Sequence, residues 1–90
     1  MRVRYTTSAL QQLTGILNYI ANENSEGARN VSKAIDHAAE LAAFMPMLGR
    51  SVPHRRNALA IIARPNPYRI TYQMRGGELE VPAITRANET

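Results

Sequence analysis

Ninety residues suffice for one small domain with a single core and leave no room for a second. The absence of cysteine removes disulfides, thiol catalysis and cysteine-held zinc, and no apolar run approaches the roughly 20 residues that span a bilayer. A formal charge of +4 favours an anionic or acidic partner, whether nucleic acid, an acidic protein or an anionic surface, without choosing among them.

The chain opens with Arg2-Val3-Arg4-Tyr5, whose alternation predicts a short strand that turns Val3 and Tyr5 to one side. Ser8 with Gln11 three positions later matches a capping box and predicts a helix start there. Leu10, Leu13, Leu17 and Ile20 form its apolar stripe to about Ala21 or Asn22, and Gly15 inside it suggests a close backbone approach. After the polar break Asn22-Glu23-Asn24, Ser25 as N-cap and Glu26 at the positive helix end predict a second helix. Its stripe is Ala28, Val31, Ile35, Ala38, Leu41 or Ala42, and Met45, and Pro46 ends it. So short a connection makes the two helices antiparallel neighbours.

The next stretch differs chemically. From Leu41 to Gly77 there is no acid but six arginines: Arg50, Arg55, Arg56, Arg64, Arg69 and Arg75. Within it, residues 58–64 predict a strand, Pro65-Asn66-Pro67 a turn, and residues 68–74 a strand with Tyr68, Ile70, Tyr72 and Met74 on one face. Gly76-Gly77 signals a hairpin, which sets Arg75 opposite Glu78, Met74 opposite Leu79, Gln73 opposite Glu80 and Tyr72 opposite Val81. Pro82 then falls where a ladder N–H is wanted, so regular pairing is expected to fail there or the edge to be free.

Assembled, these elements predict an α+β fold of order β-α-α-β-β-β, an antiparallel sheet with a helical hairpin over one face. The uncovered face should collect Ile62, Arg64, Arg69, Thr71 and Gln73, with Arg50, Arg55 and Arg56 arriving from the preceding loop. Two guanidinium groups on one open face repel unless an anion or acidic chain lies between them, which makes Arg64 and Arg69 candidate partner contacts. Arg50 divides between such contact and the carbonyl end of the second helix. Arg2, Arg4 and Arg75 read as solvated charges, whereas Tyr19, Tyr68 and Tyr72 belong to the core by their apolar-face positions.

Catalytic chemistry finds little support. RNA cleavage needs groups that accept and donate protons, and arginine hardly deprotonates, so it could only stabilise charge. His54 is the one titrating side chain in the basic stretch and has no carboxylate near it in sequence, which favours a solvated loop histidine. His37 and Glu40 share a helix face, but no further ligands complete a metal site. No cofactor is implied.

Three segments in order, Asn18-Tyr19-Ile20-Ala21, then Pro46-Met47-Leu48-Gly49-Arg50, then Pro67-Tyr68-Arg69-Ile70-Thr71-Tyr72, give the chain a resemblance to the RelE/ParE toxin superfamily of bacterial toxin–antitoxin modules. Within it the chain resembles the ParE-like, plasmid-stabilisation branch, over nearly its whole length as one domain, residues 1–90. The resemblance implies a cytoplasmic toxin neutralised by a cognate antitoxin, ParD-like with a ribbon-helix-helix start, whose C-terminal segment wraps the toxin. ParE members poison DNA gyrase; RelE members cleave ribosome-bound mRNA. RelE-type nucleases resemble this chain at Arg69 and Arg86 but carry lysines where Ala60 and Ile62 stand here, and they use a C-terminal tyrosine that this chain lacks. ParE-like chains often have a histidine shortly before the last arginine; Ile84-Thr85-Arg86 has none. The expectation is therefore a non-enzymatic gyrase inhibitor with Arg50, Arg55, Arg56, Arg64, Arg69 and Arg86 as candidate contacts to antitoxin or target. The alternatives are a RelE-like endoribonuclease using Arg64, Arg69 and Arg86, and a basic nucleic-acid-binding module without toxicity.

Overall fold

The computed structural model describes residues 1–87. Strand β1 (Arg2–Tyr5) is followed by helices α1 (Thr7–Ala21) and α2 (Ser25–Phe44), a 3₁₀ turn at Pro46–Leu48, and strands β2 (Arg50–Ser51), β3 (Leu59–Ala63), β4 (Tyr68–Arg75) and β5 (Glu78–Arg86). The sheet order is β1-β5-β4-β3-β2. This is the expected α+β architecture with two differences. A two-residue strand, β2, forms inside what reads in the sequence as loop. The sheet is also mixed, because β1 pairs β5 in parallel, Arg2 with Glu78 through Tyr5 with Val81. The αα crossover returns the chain to the far side of the sheet, and local alternation in β1 carries no information about its partner.

Both helices start one cap earlier than the sequence patterns suggest. Thr6, not Ser8, caps α1, its hydroxyl oxygen accepting from the Ala9 N–H at 3.1 Å, and Asn24, not Ser25, caps α2 by accepting from the Gly27 N–H at 2.9 Å. Thr6 wins because it also docks the helix start on β5: its N–H donates to the Val81 carbonyl at 3.1 Å. Gly15 has open space around it, with nothing within 4 Å of where a Cβ would lie, so the expected close backbone approach is absent.

The core lies between the helices and one sheet face. Ile35, Ile70, Tyr72, Leu79, Val81 and Ile84 are its largest fully buried side chains, and Ala38, Ala42 and Ala43 let α2 approach closely. Tyr68 and Tyr72 are core residues as expected. Tyr19 is not: it is 71% exposed, because it lies on the outer side of α1 while Leu13, Ile16, Leu17 and Ile20 face inward. At the α2–β1 contact the Tyr5 hydroxyl donates to Asp36 Oδ1 at 3.0 Å, and burial, with that carboxylate, pushes the phenol well above its ordinary pKa.

The hairpin register is as counted from Gly76-Gly77 for its first three pairs, Arg75–Glu78, Met74–Leu79 and Gln73–Glu80. It then shifts. Thr71 pairs with Ala83, so Val81 and Pro82 together oppose Tyr72, a bulge at the proline that cannot donate. The β1 pairing ends at the same point, and beyond it the Ile84 N–H is satisfied by Gln12 Oε1 of α1 at 2.8 Å. No described helix is long and apolar enough to cross a membrane.

Candidate interaction surface

Opposite strands share a face at each paired position, so the register defines the uncovered side row by row. Arg50, Ala60, Thr71 and Ala83 form one row; Ile62, Arg69 and Thr85 form the next towards the β3–β4 turn. In the other direction lie Gln73, Glu80 and Arg4, then Arg75, Glu78 and Arg2. The result is a floor of small side chains flanked by arginines, and at its β1–β5 side a cluster of charges that the sequence reading assigned to solvent.

That cluster is organised around Glu80, with Thr71 one of the two buried polar residues among those described. Gln73 Nε2 donates to Glu80 Oε1 at 2.7 Å, Arg4 Nη2 contacts Glu80 Oε2, and Arg75 Nε lies 3.9 Å from Oε1. Arg4 Nε also reaches Glu78 Oε1 at 3.3 Å. The Gln73 hydrogen bond first, then the Arg4 contact, hold the Glu80 carboxyl below the usual carboxylate range despite its burial. Arg4 and Arg75 are thus neutralised within the fold rather than simply solvated.

Arg50 owes its place to a different knot. The buried Tyr72 hydroxyl donates to the Pro46 carbonyl at 2.7 Å and accepts from the Gly49 N–H at 2.9 Å. A Cβ at Gly49 would come within 2.6 Å of that hydroxyl and 2.8 Å of the Ala60 carbonyl, so only glycine fits. The segment from Pro46 to Gly49 is thereby tied to β4, and the next residue, Arg50, enters the sheet opposite Ala60. This is why Arg50 belongs to the sheet rather than to the helix end.

The remaining candidates are distributed. Arg55 and Arg56 are exposed on the β2–β3 loop, where His54 and Asn57 adopt positive φ of 64° and 63°. Arg64 is exposed one residue beyond β3, and Arg69 is half-buried, its Nη2 3.5 Å from the Ala87 carbonyl. Arg86 is paired with Tyr68, which puts it on the helix-side parity at the strand end rather than in the row of Arg69. Among the described residues, Arg50, Arg55, Arg56, Arg64 and Arg69 form no ion pair, in contrast to Arg4 and Arg75. Glu80 is the residue that sequence reasoning missed, although the counted pairing with Gln73, already placed on the uncovered face, was the signal available. No cluster of three or more His, Asp or Glu side chains able to hold a metal occurs among the described residues.

A helical hairpin laid on a five-stranded sheet with this connectivity defines the RelE/ParE type of fold. The structure is similar to that of a chain from a chromosomal ParDE toxin–antitoxin system of P. aeruginosa, with a TM-score of 0.81 and 17% identity over 96% of this chain and 95% of that one. It is also similar to a chain of the intact E. coli RelBE toxin–antitoxin complex, with a TM-score of 0.61 and 14% identity over 98% of each. Among curated proteins no sequence matches. The family model described as ParE toxin of type II toxin-antitoxin system, parDE, matches residues 3–89, and the chain belongs to that family.

Proposed function

We propose that this toxin acts as a non-enzymatic protein inhibitor of DNA gyrase and is held inactive by a cognate antitoxin of the ParD-like, ribbon-helix-helix kind. The observation that carries the reading is the composition of the uncovered face. Around Arg69 stand Ile62, Thr71, Thr85, Ala60 and Ala83, none of which moves a proton at neutral pH, and the nearest carboxylate row belongs to Glu80, held ionised by Gln73 and Arg4. Such a face suits binding and positioning, and the lack of an acid–base pair among its described residues favours this reading over RNA cleavage. The five arginines without internal ion pairs suit the carboxylates of an antitoxin. Membership of the ParE family supports the choice of gyrase as target over the ribosome.

Purified protein added to gyrase, ATP and supercoiled DNA should accumulate cleaved DNA–gyrase complexes, and an excess of the antitoxin should abolish them. Unaltered DNA topology together with cutting of ribosome-bound message would replace this reading by the RelE-like endoribonuclease using Arg64, Arg69 and Arg86. Affinity for bare DNA or RNA that falls steeply with salt, without either effect, would reduce it to a nucleic-acid-binding module.

A further inference from the structure

The tyrosines of this chain end differently. Tyr5 donates its hydroxyl to Asp36, and the buried Tyr72 hydroxyl is used twice, by Pro46 and by Gly49. Tyr68 is only 7% exposed, yet its side chain forms no hydrogen bond with any described residue. A buried tyrosine ordinarily pairs its hydroxyl. Among the described residues no polar side-chain atom is both sealed off and unpaired, so this hydroxyl opens onto accessible space. The cleft that Tyr68 lines, between α2 and the β3–β4 turn, supplies that space, with a volume of about 140 Å³. Val31, Ala34 and Ala63 form its apolar wall. The exposed Asn30 and Asn66, whose amides likewise make no hydrogen bond among the described residues, supply its polar rim.

We propose that this cleft binds a small neutral molecule made of one six-membered ring with an amide edge, such as a pyrimidine base or an aromatic carboxamide. Size sets the ring: a cavity of about 150 Å³ takes one benzene, and this one measures about 140 Å³. Neutrality follows from the lining, which holds no charged side chain, so an ion would lose its hydration without gaining a counter-ion. The edge follows from the unmet groups. A hydroxyl and two primary amides can each donate and accept, and an amide edge answers both senses, whereas a bare hydrocarbon leaves them unpaired. A small molecule is favoured over a protein segment because none of the large apolar side chains exposed on this chain lines the cleft, which leaves a partner no apolar platform beside it. With α2 as one wall and the β3–β4 turn as the other, an occupant ties the two together and stabilises the folded chain. The inference is independent of the gyrase reading and of the arginines on the uncovered face.

The test is a chemical-shift titration of the full, isotopically labelled chain with benzamide and with uracil. Toluene, a ring without the edge, acetamide, an edge without the ring, and benzoate, a charged ring, serve as controls. Benzamide or uracil should saturably shift the amide signals of Asn30, Val31, Ala34 and Tyr68 with a Kd of about 1 mM or tighter, a scale open to a ligand of so few atoms. Each control should bind about tenfold or more weakly. Tyr68→Phe, which deletes only the hydroxyl, should weaken binding about three- to tenfold. Ala34→Leu, which fills the cleft, should abolish both the shifts and the rise in melting temperature that saturating ligand gives the wild type. Met74→Ala, towards the other end of β4, should leave binding unchanged. Circular dichroism checks the folding of each variant, and Tyr68→Phe, the milder change, carries the test if Ala34→Leu does not fold. No saturable shift from either probe, equal binding of toluene, or wild-type affinity in a folded Tyr68→Phe or Ala34→Leu chain would overturn the inference. Tighter binding of N-acetyltyrosinamide on the same signals would overturn it in favour of a side chain from a partner protein.

Discussion

On the β1–β5 side of the uncovered sheet face, Arg4 and Arg75 lie against Glu80 and Glu78; on the β2–β3 side, Arg50, Arg55, Arg56 and Arg64 meet no carboxylate among the described residues. The sequence gives all of them the same residue type. Their difference lies in which strand is placed next to which. The parallel insertion of β5 beside β1 brings Glu78 and Glu80 to Arg4, the β4–β5 hairpin brings them to Arg75, and among the described residues no acidic strand reaches the opposite side. The molecule thus separates groups that serve its own stability from groups left for something else, and the same division separates the sealed Tyr72 hydroxyl from the open one of Tyr68.

The division can be broken most severely from the sealed side. Ile35→Ala removes a fully buried side chain from the centre of α2 and should cost about 2–5 kcal/mol in a denaturant titration. Tyr72→Phe leaves the Gly49 N–H and the Pro46 carbonyl without their partner and should cost about 1–3 kcal/mol. If it does not also weaken binding through Arg50, the role of the Tyr72 knot in placing that residue is wrong. Thr6→Ala should cost about 1 kcal/mol, whereas Ser8→Ala, in the first turn rather than at the cap, should stay within about 0.5 kcal/mol.

The acid limb of the stability profile sharpens the comparison further. The Gln73 hydrogen bond and the Arg4 contact hold the folded Glu80 pKa below its ordinary value of 4.5, so its contribution is present above the unfolded pKa and is lost as pH falls through the folded one. Melting temperature should therefore decline below about pH 4.5. Glu80→Gln should flatten that decline and lower stability at neutral pH, where Arg4 and Arg75 lose their counter-ion. An unchanged acid limb would show that the cluster contributes nothing. Smallest in stability are Arg50→Ala and Arg64→Ala, each expected within about 0.5 kcal/mol. If either arginine belongs to the antitoxin interface, its loss should nonetheless weaken binding in calorimetry, and a stability loss as large as that of Tyr72→Phe would place it with the internal groups instead.

Much of the architecture was legible because it is written in local periods. The apolar stripes of both helices, the alternation of β4 and the Gly76-Gly77 turn each depend on residues close in sequence, and three hairpin pairs could be counted outward before Pro82 interrupted the ladder. The arginine content of the uncovered face was legible in the same way. Helix caps were misplaced by one or two residues because Thr6 and Asn24 compete with Ser8 and Ser25 as chemically similar oxygens, and contact with β5 favours Thr6. Tyr19 looked apolar in a stripe whose inner side is supplied by its neighbours.

By itself the sequence determined the elements, the cationic segment from Leu41 to Gly77 and the break at Pro82, since periodicity, charge and a missing N–H act over a few residues. Only the tertiary structure decided which arginines are neutralised, why Gly49 must be glycine and which buried tyrosine hydroxyl is left open. Those outcomes depend on groups such as Arg4 and Glu80, or Gly49 and Tyr72, that are distant along the chain and meet only when the sheet closes.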